Sequence, residues 1–311
     1  MMDVVAAPSA ASEYIFGFGA FLVGTVIGSF LNVCAYRIPR EESIVTPRSH
    51  CPSCGEPIPL RLNLPLLGWL LLRGKAACCG ARIPFRYFLV EGLTGAAFAY
   101  AYWLFGFGPH PEQAFAAALF AALLLGAAFT DLESFIIPDR FSSGGALLGL
   151  LLAASFPATI LGLDDGFLSS HLDALYYSLL GLLVGSGTLY WISLLAEWIL
   201  RRDALGEGDV KLLGCIGAFC GWQGALFAIF GGALVGTLVI LPLMLIQSLR
   251  SGGEEPLRDE QAEDAVSALG WGVEIPFGPF LATAALLYLF GLSEYVDAWF
   301  DNLRYTLSRL P

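Results

Sequence analysis

Residues 204–211 read Ala-Leu-Gly-Glu-Gly-Asp-Val-Lys and lie between two long apolar segments, so Asp209 stands at the mouth of a membrane helix. Gly206 and Gly208 relax the backbone there and allow another part of the chain to approach closely. A carboxylate in such a place is costly unless it is solvated, paired or used. Its candidate partner is Asp131, in the stretch 129–139, Phe-Thr-Asp-Leu-Glu-Ser-Phe-Ile-Ile-Pro-Asp. Two carboxylates a few ångströms apart cannot both stay ionised. One keeps a proton while the other acts as base towards a shared water, which is the chemistry of an aspartic protease. Asp209 lies at a helix N-terminus, which favours the anion, and Asp131 near a helix C-terminus, which does not; this assigns Asp209 as resting base and Asp131 as resting acid. Taken alone, Gly-x-Gly-Asp fits an ordinary helix-capping carboxylate just as well, and it is the second apolar-flanked Asp on the same membrane face that favours a dyad. Lys211 either offsets part of the dyad's charge or snorkels to the interface. Asp139, after Pro138 and before an apolar run, is expected to cap a helix. Glu133, Asp203 and Glu207 read as solvated loop charges.

The second constellation is made of cysteines. Of the seven, Cys34, Cys215 and Cys220 fall in apolar runs and read as small buried hydrophobes. Cys51-Pro52-Ser53-Cys54 followed by Gly55 is the knuckle that offers two thiolates to a tetrahedral zinc. The other half is irregular, because Cys78 and Cys79 are adjacent where a second Cys-x-x-Cys is expected. Neighbouring residues rarely both ligate one ion without strain. The expected set is therefore Cys51, Cys54 and Cys79 with a fourth group from Cys78, His50 or water, in a structural role; a metal-free knuckle is the alternative.

These groups must be positioned by a membrane protein. The 311 residues are 57% hydrophobic and 14% charged, with a formal charge of −11 and mean hydropathy +0.70. That is too apolar for a soluble domain and too acidic for a nucleic-acid surface. No cleavable signal peptide is evident. Apolar runs at 14–36, 88–107, 113–130, 141–163, 174–196 and 275–293 read as spans. The uncharged run 212–249 would be about 57 Å long as a single helix, so the Gly-Trp-Gln-Gly at 221–224 is expected to split it into two. The fold expected is an all-α polytopic membrane protein of about eight transmembrane helices, with a small cytoplasmic, zinc-knuckle-like domain between helices 1 and 2.

Half of the sixteen basic residues lie in 37–86, and the connections around 108–112, 164–173 and 221–224 carry none. The positive-inside rule then makes 37–86 cytoplasmic and both termini periplasmic. Two crossings separate Asp131 from Asp209, so both belong on the cytoplasmic side. The expected organisation is 1–36, periplasmic N-terminus and first helix; 37–86, cysteine domain; 87–293, transmembrane domain with both aspartates; and 294–311, an amphipathic tail. The Gly- and Glu-rich stretch 251–274 reads as a solvated loop. A cation- or proton-coupled transporter is the main competitor from another class, but it needs ionisable groups near mid-membrane, and these are terminal. An inactive scaffold of a secretion apparatus is the third reading.

Several ordered motifs resemble those of the bacterial type IV prepilin peptidases, the GxGD-type leader peptidases of type 4 pilus and type 2 secretion systems. Gly28-Ser29-Phe30-Leu31-Asn32-Val33 with Arg37-Ile38-Pro39 resembles the family's opening signature, and Cys51–Cys54 with Arg86-Tyr87-Phe88-Leu89-Val90-Glu91 its cytoplasmic domain. The stretches from Asp131 to Asp139, Gly206 to Leu213 and Ile275 to Phe280 resemble its two catalytic motifs and its closing one. The resemblance implies an inner-membrane enzyme that removes the basic leader of prepilins or pseudopilins at the cytoplasmic face, with Asp131 and Asp209 as the catalytic pair. It also implies N-methylation of the new N-terminus with S-adenosylmethionine, for which no residue here reads as a donor site. Ala76 stands where the family usually has its third cysteine. The acidic mouth would attract a basic leader, and a groove between spans would hold the apolar helix behind it.

Overall fold

The computed structural model describes residues 10–159, 170–201, 206–250 and 275–309; Asp203 and the stretch 251–274 lie outside the described residues. Among these the structure is helical apart from two isolated bridges, His50 with Pro57 and Lys75 with Arg82. The helices are α1 (Ala10–Arg37), α2 (Leu67–Leu71), α3 (Phe85–Phe105), α4 (Glu112–Ser134), α5 (Ser143–Ser155), α6 (His171–Leu200), α7 (Glu207–Arg250), α8 (Gly278–Leu287) and α9 (Ser293–Leu307).

The centre of the bundle is α4, 83% buried against at most 33% for the other candidate spans. A helix apolar on every side belongs in the interior, and its alanines let the neighbours come close. Ala116, Ala117, Ala121 and Ala127 are fully buried, and Phe120 stacks on Phe219 of α7 at 4.7 Å. The pair α1 and α3 meets backbone to backbone. A Cβ added at Gly28 would lie 2.8 Å from the Glu91 Cα, and Asn32 donates to the Tyr87 carbonyl at 3.1 Å.

Gly221 breaks α7, with φ 67° and ψ −176°. The chain reverses there. A Cβ added at Gly185 of α6 would lie 2.7 Å from the Leu213 carbonyl and 3.1 Å from the Ala225 Cβ, two points that a straight helix would hold about 18 Å apart. The two arms, 207–220 and 222–250, therefore fold into a hairpin against α6. The tight turn expected over 221–224 is made by a single residue of positive φ, and Trp222, Gln223 and Gly224 are already helical. Close contact between Gly181 and Gly217, and a hydrogen bond from Ser178 to the Ala218 carbonyl at 2.6 Å, fix the first arm on α6.

Six helical stretches are long and apolar enough to cross a membrane, against the eight expected. Two physical causes account for the difference. The hairpin of α7 counts as one continuous stretch, and the run 141–163 contains only the 13-residue helix α5 and a short 3-10 turn before the described residues stop. The chain is a multi-pass membrane protein. At its end α9 is a helix, as its apolar spacing predicts, and Phe300 packs edge-on against Trp222 at 4.9 Å, so α9 lies at the hairpin's tip.

Gly217→Ala should destabilise the protein by about 1–3 kcal/mol, because the added methyl has nowhere to go but into the Gly181 backbone. Thermal unfolding in detergent reads this, and an unchanged midpoint would mean that the α6–α7 contact is looser than described.

Candidate active site and metal centre

Asp131 sits in the last turn of α4, which Phe135 ends in the left-handed conformation by donating to the Asp131 carbonyl at 2.8 Å. Asp209 is the third residue of α7. Its backbone N–H donates to the Gly206 carbonyl at 3.1 Å, and the Gly206 N–H donates back to its carboxylate, so the side chain is folded over the start of its own helix. Both side chains are buried, 5% and 8% exposed. Ile137 packs beside the backbone that carries or meets each of them. Its Cδ1 would lie 3.6 Å from a Cβ at Gly208, beside Asp209, and 2.8 Å from a Cβ at Gly278, whose Cβ would also lie 2.7 Å from the Asp131 Oδ2.

Asp131 Oδ2 accepts the Gly278 N–H at 3.0 Å. Gly278 opens α8, so Asp131 also faces a helix N-terminus, although it is carried near the C-terminus of its own helix. The helix-dipole distinction expected between the two aspartates is therefore lost, since each carboxylate meets a positive helix end. What separates them is hydrogen bonding: among the described residues, Asp209 Oδ1 is buried without a partner. Sequence reasoning missed Gly278. Its signal was Pro279, which marks a helix start one residue later.

The surrounding charges differ from expectation. Asp139 does not cap α5, whose N-cap is Ser142; instead it pairs with Lys211 Nζ at 2.9 Å. Lys211 is turned towards Asp139, with Glu207 at 3.9 Å. Glu133 is no solvated loop charge. It lies in the last turn of α4 and pairs with Arg86, at the start of α3, at 2.8 Å. Glu207 is 93% exposed, as expected.

The four cysteine sulfurs of Cys51, Cys54, Cys78 and Cys79 all lie within 4.8 Å of one another, and the adjacent pair converges despite the expected strain. His50 is outside the cluster, its ring turned to the Arg48 carbonyl at 3.3 Å. The backbone explains why. Gly55 N–H donates to the Cys51 carbonyl and Cys51 N–H to Glu56, and the same two bonds recur from Gly80 to Ala76 and from Ala76 to Ala81. Both glycines have positive φ, 76° and 71°. Residues 76–81 thus repeat the turn 51–56, with Ala76 in the place of Cys51 and Cys79 in the place of Cys54, while Cys78 reaches in with the fourth sulfur. Separations of 3.7 Å (Cys51–Cys79), 3.3 Å (Cys54–Cys78) and 3.9 Å (Cys78–Cys79) match the ~3.8 Å edge of a tetrahedron with Zn–S ~2.3 Å. The backbone N–H groups of Ser53 and Cys54 hold the Cys51 thiol down to about 6, and hydrogen bonding to Cys54 pushes Cys78 up to about 12. Backbone donors thus favour the thiolate at Cys51, and a bound cation would displace the protons of the other sulfurs. The set is compatible with a structural zinc.

The chain is similar to known proteins over most of its length. A profile described as the bacterial peptidase A24 N-terminal domain matches residues 22–105, which contain the four cysteines. One described as the type IV leader peptidase family matches residues 118–241, which contain both aspartates. The prepilin leader peptidase/N-methyltransferase of Myxococcus xanthus is 38% identical over 81% of this chain and 70% of its own length. Proteins of the same name from Dichelobacter nodosus and Klebsiella pneumoniae are 32% and 36% identical, covering 88% and 71% of this chain and 92% and 93% of their own lengths. No solved structure matches the chain.

Proposed function

The chain belongs to the type IV leader peptidase family, and we propose that it is a membrane aspartic endopeptidase that removes the basic leader of type IV prepilins or pseudopilins, with Asp131 and Asp209 as its catalytic pair. The observation that supports this is that two buried carboxylates, 78 positions apart in sequence, lie at helix ends that both pack on Ile137, through Gly208 next to Asp209 and through Gly278, which donates to Asp131. Asp209 is the base: its free Oδ1 takes a proton from water, and the hydroxide attacks the scissile carbonyl. Asp131, protonated and held in place by Gly278 N–H, donates to the carbonyl oxygen and stabilises the charge that develops there. Collapse of the tetrahedral intermediate breaks the C–N bond, and the proton held by Asp209 goes to the leaving amine. The two titrate as a unit, so rate–pH data report the pair.

The distribution of Lys and Arg supports a cytoplasmic site in the inner membrane with both termini periplasmic. A substrate with a basic leader suits the exposed Glu207, whereas Asp139 and Glu133 are already paired. N-methylation of the new N-terminus, with S-adenosylmethionine as donor, is supported by the relatives' names alone. The apolar groove beside the site, lined by Ala233, Gly236, Thr237, Ile240, Phe277 and Phe280 among others, offers no charged group for that donor's carboxylate or ribose and does not fit it. The cysteine cluster is proposed to hold one zinc as a structural clamp, with Cys51, Cys54, Cys78 and Cys79 as ligands.

Asp131→Asn and Asp209→Asn should each lower prepilin cleavage by purified protein at least ~10³-fold, while Asp203→Asn stays near wild type; full activity of either of the first two variants removes that residue from the pair. Gly278→Ala should lower kcat ~10²-fold with the fold retained, because its methyl displaces Asp131; an unchanged kcat would mean the Gly278 contact does not position the acid. Metal analysis should find about one zinc per chain, lost in Cys78→Ala and restored when Ala76→Cys is added. If Cys78→Ala keeps its zinc, the fourth ligand lies elsewhere.

A further inference from the structure

Between the two knuckle turns lies a segment, residues 59–73, that is far more apolar than a solvated domain needs. Leu60, Leu64, Leu67, Leu70, Leu71 and Phe85 are each at least half exposed, Leu60 and Leu71 more than 70%. None of the segment belongs to the six candidate spans. Leu67, Leu70 and Leu71 share one face of α2 by helical spacing. The other side of α2 is packed: Gly68 is buried against the Leu62 backbone, and Trp69 meets Phe85 and Phe88 of α3 at 5.5 and 5.3 Å.

Depth follows from a second set of contacts. The Leu66 N–H donates to Glu91 Oε2 at 2.7 Å, and its Cδ2 would lie 3.8 Å from a Cβ at Gly92. Glu91 is nearly two turns into α3, about 9 Å from its start. The 21 residues of α3 make ~31 Å of helix, against a hydrocarbon core of ~30 Å. The helix has no length to spare, so its first two turns lie at or inside the edge of the hydrocarbon, and α2 beside them is at the same level. Arg61 and Arg73, at the two ends of the leucine-rich stretch, and Lys75 just beyond it, are exposed. Apolar side chains 5–10 Å deep with cations at the rim are what an interfacial element presents to anionic lipid.

We propose that residues 60–72 form a monotopic anchor: the leucine face of α2 is buried in the leaflet on the knuckle's side, with Arg61, Arg73 and Lys75 on anionic phospholipid head groups. The cysteine domain is thereby fixed to the bilayer at two places, through Glu91 inside the protein and through α2 outside it. This assignment does not depend on the peptidase reading.

The test places a nitroxide on a genetically encoded keto side chain at position 71 of the full-length protein, a second at 67, and a control at 56, where Glu56 is exposed near the cysteines. In nanodiscs of phosphatidylcholine with phosphatidylglycerol, power saturation compares collisions with oxygen, which enters the bilayer, and with a nickel chelate, which does not. The expected result is an oxygen-to-nickel ratio several-fold higher at 71 and 67 than at 56, falling towards the control when Arg61→Glu and Arg73→Glu are combined. Nickel access at 71 equal to that at 56 overturns the anchor, and closure of 71 to both reagents overturns it in favour of a protein partner or a second copy. A ratio that ignores the two Glu substitutions removes the head-group contacts from the proposal.

Discussion

Two carboxylates have been taken out of water at the edge of a bilayer, and the arrangement of the bundle follows from how that is tolerated. An ionised carboxylate moved to a low-dielectric site without partners costs several kcal/mol even after relaxation. Each aspartate is met by backbone N–H groups at the start of a helix, Asp209 by its own α7 and Asp131 by α8. Backbone donors suit this purpose because they bring partial positive charge without a counter-ion that would neutralise the pair. Lys211, the nearest cation in sequence, is instead engaged by Asp139 and Glu207.

Bringing three helix ends to one point requires that the helices carrying them come unusually close. Gly208 and Gly278 lack the Cβ that would strike Ile137, and Gly181 and Gly217 do the same for the α6–α7 contact. The alanines of α4 serve this end from the middle of the bundle. The Arg86–Glu133 pair then ties the start of α3, and with it the cysteine domain, to the helix turn that holds Asp131. The cysteine domain is thus mechanically continuous with the site.

Much of this was legible in the chain. The two aspartates stood out because charge is rare in apolar surroundings, and the class of fold followed from the length of the uncharged runs. The knuckle's irregular half was visible in Ala76, but its resolution was not. Repetition of the 51–56 turn by 76–81 is a matter of backbone hydrogen bonds, which a pattern of side chains does not display, so Cys78 looked strained where it is accommodated. Partners far apart in sequence were also hidden. Glu133 read as a loop charge and Asp139 as a helix cap because their cations, Arg86 and Lys211, lie 47 and 72 positions away. The dipole distinction between the aspartates failed for the same reason, since α8 reaches Asp131 from 147 positions downstream.

The reversal at Gly221 sets a length. The first arm of α7 and helix α5 are about 14 and 13 residues long, ~21 and ~20 Å, while the hydrocarbon they sit in is ~30 Å thick. The amphipathic α9, held to the hairpin's tip by Phe300 and Trp222, marks how far these two elements reach. Such hydrophobic mismatch is relieved by drawing the opposite leaflet inward, a strain of fractions of a kcal/mol per ångström. Relief of that kind would leave a foreign helix arriving beside the aspartates in a thinner membrane than the one it left.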